Sequence, residues 1–303
     1  MTIMTDFQQK MTNLLPTVKL LMNESLAKHT SFRIGGPAEV MAFPKNGEEL
    51  SEILKQSALL DYKIAILGAG TNILAPDEGM PGMVVCLKEC MDILERTDAT
   101  RIRVGAGVSM TRAATFAANC GLSGMEFAHG IPGSVGGGVY MNAGAYGGEI
   151  CQVCEFVEMI DDRGECHILP AGEMDFSYRH SRLETEGGIV LSATFALTPK
   201  PAEEIRATMQ DLMNRRRNSQ PLDLPSAGSA FKRPVGGYAA ALIDQAGLKG
   251  YQVGGAAISE KHAGFVVNLG GATAKDVKQL LTDVSDKVFE STQIRLEPEV
   301  RIW

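Results

Sequence analysis

Between His129 and Glu149 the sequence HGIPGSVGGGVYMNAGAYGGE carries eight glycines and one acidic side chain, and no other stretch constrains the fold so tightly. A residue without Cβ makes tight turns and lets another group approach the backbone closely. Successive backbone N–H groups in such turns form concavities that hold anions. Two further glycine turns precede it, Gly68-Ala-Gly-Thr-Asn72 and Gly105-Ala-Gly-Val-Ser109, each after a segment that reads as a short strand. Neither completes the G-x-G-x-x-G dinucleotide fingerprint, because Ile73 and Met110 stand where the third glycine belongs. No Gly-Lys-Ser/Thr triplet exists for a phosphate loop. The common nucleotide folds are thereby disfavoured, while a long anionic ligand lying along several turns stays compatible. Tight turns alone account for Gly147-Gly148 but poorly for Gly133-Ser-Val-Gly-Gly-Gly138 and Asn142-Ala-Gly-Ala145; glycine by itself leaves both readings open.

At 303 residues with 45% hydrophobic content, the chain can bury the cores of two domains. A formal charge of -7 supplies no basic field for a phosphate backbone, so no nucleic-acid partner is expected. The longest apolar run, Ile189 to Leu197, is strand-sized, and no basic run followed by an apolar stretch opens the chain. A cytoplasmic protein without membrane association is expected. Six cysteines are too sparse for a disulfide framework. Cys151, Cys154 and Cys166 with His167 have thiolate spacing that a zinc ion could use, but their flanks read as strand; buried cysteines and no metal are expected.

Periodicity predicts a helix over Gly47–Leu60 with Leu50, Ile53, Leu54 and Leu60 on one face, and strands at Ile64–Leu67, Met83–Cys86 and Arg101–Val104. Ser109 is placed to cap a helix ending at Cys120-Gly121. Beyond the glycine-rich stretch, which reads as turns, Phe156–Ile160, Cys166–Leu169 and Ile189–Leu197 read as strands, and Pro201 opens a helix ending in Arg215-Arg216-Arg217. A helix near Ala239–Ala246, a strand Phe265–Leu269 and an amphipathic helix with Val277, Leu280, Leu281, Val284 and Val288 follow. Ile294–Ile302 reads as a strand interrupted by Pro298. The main boundary falls near residue 200.

Several motifs, in order, resemble the UDP-N-acetylenolpyruvoylglucosamine reductase family. Gly68-Ala-Gly-Thr-Asn-Ile73, Gly130-Ile-Pro-Gly-Ser-Val-Gly-Gly137 and Met141-Asn-Ala-Gly-Ala-Tyr-Gly147 look like its flavin signatures. Thr30-Ser-Phe-Arg-Ile-Gly-Gly-Pro37, Phe176-Ser-Tyr-Arg-His-Ser181, Ala227-Gly-Ser-Ala-Phe-Lys-Arg-Pro234 and Leu296-Glu-Pro-Glu-Val-Arg301 resemble its other motifs. The resemblance implies an α+β fold. It comprises a vanillyl-alcohol-oxidase-type FAD-binding module over 1–199, with subdomains of about 1–75 and 76–199, and a C-terminal α+β substrate-binding domain over 200–303. The final strand, about 294–303, would return to the FAD module. The resemblance also implies non-covalent FAD, NADPH as hydride donor and UDP-N-acetylglucosamine enolpyruvate as substrate. The product would be UDP-N-acetylmuramate for peptidoglycan synthesis, made by a monomer or weak homo-oligomer.

Carried over by position, the flavin contacts would be Arg33, Gly68, Ala69, Gly70, Thr71, Asn72, Gly130, Ile131, Pro132, Gly133, Ser134, Gly136, Gly137, Asn142, Ala143, Gly144 and Ala145. Arg179 resembles the active-site arginine, whose fork of donors suits a carboxylate turning into an enediolate. Ser229 resembles the proton donor, and Glu299 the glutamate assisting near the same intermediate; regular strand alternation would put Glu297 on the same face. The cations Arg216, Arg217, Lys232 and Arg233 bracket Ser229 and are expected to meet the substrate diphosphate, Lys232 and Arg233 foremost, against a reading of the helix-end arginines as offsetting a dipole. Tyr178, beside Arg179, is expected among the substrate contacts. His129 stands where related flavoproteins sometimes attach FAD covalently, which this family does not do. Pro234 to Leu242 is compact, so the chain resembles the shorter branch that lacks a tyrosine-bearing insertion, and neither Tyr238 nor Tyr251 is assigned as a closing residue. Rival functions are a related FAD-dependent sugar or alcohol oxidase and a catalytically silent nucleotide-sugar binding protein.

Overall fold

The structure, a computed structural model, describes residues 4–88 and 90–303. Contacts divide the chain into two units: one takes the chain up to Met22 with Glu39–Ala69 and Gly82–Asn214, the other takes Asn23–Ala38, Gly70–Pro81 and Arg215–Trp303.

The first unit has two cores. In one, this unit's residues of a sheet of order Lys19–Ser25, Pro37–Phe43, Met80–Cys86, Ile64–Leu67 are accompanied by the helices Asp6–Leu14 and Gly47–Leu60. Leu50, Ile53 and Leu54 recur at helical spacing and pack with Met11, Leu15, Met83 and Val85. Asn46 caps that helix by accepting the Glu49 N–H at 2.9 Å, and Asp61 ends it in the left-handed region. In the other core, a five-stranded antiparallel sheet runs Cys166–Pro170, Cys154–Ile160, Ile189–Ala196, Arg101–Gly105, Leu94–Arg96. The helix Met110–Asn119 buries Ala113, Ala114, Ala117 and Ala118 with Val104, Val157 and Phe195. Ser109 caps it, accepting the Arg112 N–H at 3.2 Å.

The glycine-rich stretch departs from the expectation of turns throughout. Val135–Tyr140 is a short helix with Ser134 as its cap. A Cβ on Gly136 would lie 2.9 Å from Ala106 Cβ, and one on Gly138 2.8 Å from Met110 Sδ. Glycine here lets the helix seat on the turn that follows Arg101–Gly105.

The second unit is built on an antiparallel sheet of order Ser226–Ser229, Phe265–Asn268, Ala256–Ile258, Gln252–Val253. The helices Ala239–Gln245 and Ala274–Thr292 supply Ile243, Val277, Leu280, Leu281, Val284 and Val288 to its core. Phe32, Ile34 and Leu74, from far upstream, complete that core.

Two sequence expectations are corrected. The helix carrying Arg215-Arg216-Arg217 does not stop there but runs Ala202–Ser219. Ile294–Ile302 is not one strand: Gln293 turns left-handed after the long helix, Pro298 makes an isolated bridge to Phe231, and only Arg301–Ile302 is strand, parallel to Ile73–Leu74. Strand alternation therefore does not relate Glu297 to Glu299. Among the described residues, no helix is long and apolar enough to cross a membrane.

Candidate active site

In the first unit, the loop after Ile64–Leu67 meets the glycine helix. A Cβ on Gly68 would lie 2.9 Å from Ser134 Oγ, the hydroxyl that accepts the Gly137 N–H at 3.4 Å. Gly137 itself is exposed, and its Cβ would meet only that hydroxyl, at 3.6 Å. The protein's own packing does not demand glycine there, which leaves that side open to another group. Nearby in the chain, His129 Nδ1 is buried with no hydrogen-bond partner among the described residues, and burial holds the imidazole below the ordinary histidine pKa, hence neutral at pH 7. An open glycine and a solitary buried nitrogen beside Gly130 fit the polar edge of a flavin, so these residues pass the test of holding one.

At several other expected flavin contacts the protein's own backbone contacts fix the chain. Gly70, at φ +66°, would drive a Cβ into the carbonyl of His29 within the second unit. Gly133 stands at φ +145°, and Ile131 donates its N–H to Ala128 O at 3.1 Å, just before the exposed Pro132. Ala143 donates its N–H to Gly138 O at 2.8 Å, and Gly144–Ala145 pairs with Gly148–Glu149. Ala69 belongs to the first unit; Arg33, exposed and at φ +55°, Thr71 and Asn72 belong to the second.

Arg179 stands on a two-residue turn. Ser177 and His180 exchange both backbone hydrogen bonds at 3.2 Å, which leaves Tyr178 and Arg179 at the tip, Arg179 with φ +56°. A positive φ in a non-glycine residue is strained, so the feet of the turn must hold it. They do: Asn142 Nδ2 donates to Ser177 O at 3.0 Å, buried Ser181 donates to Tyr140 O at 2.8 Å, and His180 Nδ1 meets Glu184 at 3.0 Å. At the tip, the guanidinium lies 4.8 Å from the Tyr178 ring centroid and donates to Gly144 O at 3.4 Å. Thus Arg179 is brought to the Asn142–Ala145 loop.

In the second unit Ser229 ends the strand Ser226–Ser229 with its side chain exposed. Its neighbour Ala230 accepts the Glu299 N–H at 2.8 Å, and Lys232 donates its N–H to Glu297 O at 2.8 Å. Asn72 Nδ2 holds the Glu299 carbonyl at 3.2 Å. The backbone of Glu299 is therefore fixed from both sides, next to the end of the strand Ser226–Ser229. Lys232 Nζ lies 2.5 Å from Glu297, and Arg233 stacks 4.5 Å from the Tyr238 ring centroid. Arg216 is buried, and Arg217 offers its carbonyl to Lys261 Nζ at 2.6 Å. Arg179 belongs to the first unit, Ser229 and Glu299 to the second. Sequence reasoning missed the structural work of Asn72 and Asn142. Their place inside glycine motifs was the available signal, but the partners that matter, Glu299 for Asn72 and Ser177 for Asn142, lie 227 and 35 residues away.

Family profiles match residues 38–169 as an FAD binding domain and residues 220–303 as the UDP-N-acetylenolpyruvoylglucosamine reductase C-terminal domain. The chain is 45% identical to the UDP-N-acetylenolpyruvoylglucosamine reductase of Agathobacter rectalis, across 98% of each protein. It is also 45% identical to that of Caldanaerobacter subterraneus subsp. tengcongensis, across 97% of this chain and 96% of the relative. The crystal structure of UDP-N-acetylenolpyruvylglucosamine reductase from Thermus caldophilus superposes with a TM-score of 0.78 at 38% identity, covering 94% of this chain and 98% of that one. Likeness of this extent, sustained over almost the whole of both partners, makes the chain a member of the UDP-N-acetylenolpyruvoylglucosamine reductase family.

Proposed function

We infer that this chain is an NADPH-dependent flavoenzyme that reduces UDP-N-acetylglucosamine enolpyruvate to UDP-N-acetylmuramate in peptidoglycan precursor synthesis. The observation that carries the reading is the full-length likeness to reductases of that name, joined to a flavin-binding domain match over the glycine turns. FAD would be held along Gly68–Asn72, Gly130–Gly137 and Ala143–Ala145, not by the Asn142 amide, which protein partners occupy, and would supply the hydride chemistry.

The side chains handle the charge and the proton. Reduction at the terminal carbon leaves negative charge spread over the adjacent carbon and the carboxylate. Arg179 meets that charge with a planar fork of donors, already oriented by its turn. The Ser229 hydroxyl gives its proton to the same carbon; a serine is a weak acid, but an enolate is basic enough to take its proton at hydrogen-bond distance. Glu299, anchored beside Ala230, assists at that intermediate. Tyr178, Arg216, Lys232 and Arg233 hold the substrate. The Lys232–Glu297 pair, 40% and 69% exposed, is worth at most about 1 kcal/mol, so a diphosphate competes with it readily. We place the enzyme in the cytoplasm as a monomer or weak homo-oligomer.

The test is spectroscopic and anaerobic. Purified protein should be yellow, bleach on NADPH and recover its colour as UDP-N-acetylglucosamine enolpyruvate is consumed. A protein that bleaches but stays reduced with this substrate keeps the flavin and loses the proposed reaction.

A further inference from the structure

Asn142 is 1% exposed and stands at φ +42°. All three hydrogen-bonding positions of its amide that the fold reaches are engaged by protein. Oδ1 accepts the Cys151 N–H at 3.0 Å, while Nδ2 donates to the Glu149 carboxylate at 3.0 Å and to the Ser177 carbonyl at 3.0 Å. Those partners fix the amide's orientation, since a flip would set its oxygen against a carbonyl and a carboxylate. Ser177 is the first residue of the turn that carries Arg179. Two residues after Asn142, the Gly144 carbonyl accepts from Arg179 at 3.4 Å. One buried amide therefore ties the base of the arginine turn to the loop that the arginine's own tip touches.

We propose that Asn142 is a positioning residue: through Ser177 it sets where the Arg179 guanidinium stands over the Asn142–Ala145 loop, and its side chain touches neither flavin nor substrate. The proposal rests on the reading of Arg179 as the group that meets the developing anion. A misplacement of about 1 Å can cost on the order of 100-fold in rate, so a side chain behind the reacting groups is felt strongly at the step that needs them.

The holoenzyme and three variants test it. Asn142→Asp keeps the size and the acceptor for Cys151 but sets oxygens against Ser177 and Glu149. Asn142→Gly removes only the side chain and suits the positive φ, which preserves a folded variant should the aspartate fail. Arg179→Lys keeps the charge and loses the fork. Flavin content, NADPH-driven bleaching and substrate-driven recovery of colour are measured separately. Either Asn142 variant should keep its flavin and bleach within about twofold of the parent, yet recover roughly 10- to 100-fold more slowly at saturating substrate. Joined to Arg179→Lys, which slows recovery alone, it should add little further loss. Loss of flavin with both half-reactions falling together would make Asn142 a cofactor ligand or a plain structural residue and overturn the proposal, as would unchanged recovery. Normal recovery in Arg179→Lys alone overturns the reading of Arg179 first, and the proposal with it.

Discussion

Adjacent glycines in the helix Val135–Tyr140 do different work, and Gly136 and Gly137 separate the two kinds. A Cβ on Gly136 meets Ala106 Cβ at 2.9 Å, whereas one on Gly137 meets only Ser134 Oγ at 3.6 Å. Gly136→Ala should therefore lower stability by about 1–3 kcal/mol with or without flavin, as overpacking does. Gly137→Ala should leave the flavin-free protein as stable or more stable, by up to about 1 kcal/mol from helix propensity, and yet weaken flavin binding. Denaturant unfolding of flavin-free protein with a flavin titration reads both effects; undiminished affinity in Gly137→Ala would remove the ligand as the reason for that glycine. The same residue-level reasoning applies to the proposed catalytic groups. Ser229→Ala deletes only the proposed proton donor, so NADPH should still bleach the flavin while product formation falls by roughly 10²–10⁴-fold. Normal turnover would take Ser229 out of the mechanism. Motif resemblance points to Arg179, Ser229 and Glu299 and puts Asn72 and Asn142 among flavin contacts, but it gives no sign of the structural bonds of those two amides to Glu299 and Ser177, 227 and 35 residues away.

At the level of elements, a segment was legible where apolar period and local cap agreed. Gly47–Leu60 and Ile64–Leu67 stand where the sequence puts them, and Ser109 caps its helix. Val135–Tyr140 was not legible, because glycine is the poorest helix former after proline and this helix exists through its seat on Ala106 and Met110. The last helix shows how local and distant signals combine. Thr273 and Asp276 form a capping box, and the distant Asp77 carboxylate accepts the N–H groups of Ala274 and Lys275 at 2.7 and 3.1 Å. The Thr273 backbone N–H, with the Thr273 hydroxyl next, holds the Asp276 carboxyl below the usual aspartate pKa. A depressed pKa stabilises the fold above the unfolded value, near 4, and that contribution is lost as pH falls through the folded value. Thr273→Ala should cost about 1 kcal/mol at pH 7. The cost of Asp276→Asn should shrink as pH falls below about 4; a penalty that stays constant there would mean that its charge is not what matters.

For the molecule as a whole, the second unit is the informative part, because its core does not come from one stretch of chain. Phe32 and Ile34 are 2% exposed and Leu74 fully buried, and all three pack with Val277, Leu280, Val284 and Val288 from the C-terminal helix. Asn268 Nδ2 holds the Phe32 carbonyl at 3.0 Å, Ser31 donates to the Ser226 carbonyl at 2.6 Å, and Arg301–Ile302 pairs with Ile73–Leu74. No periodicity in residues 23–38 or 70–81 announces this, since the partners are supplied by folding and not by neighbours in sequence. A fragment of residues 215–303 would expose the apolar sites left by Phe32, Ile34 and Leu74, each side chain worth roughly 1.5–3 kcal/mol when buried, against a net stability of about 5–15 kcal/mol for an ordinary domain. It would also leave its last strand unpaired. The fragment should retain helical signal in far-ultraviolet circular dichroism but lack dispersed amide resonances, as loosely packed states do. Sharp, dispersed amide resonances from 215–303 alone would show that its own residues suffice for the core, and that the upstream segments serve only to shape the surface around Ser229 and Glu299.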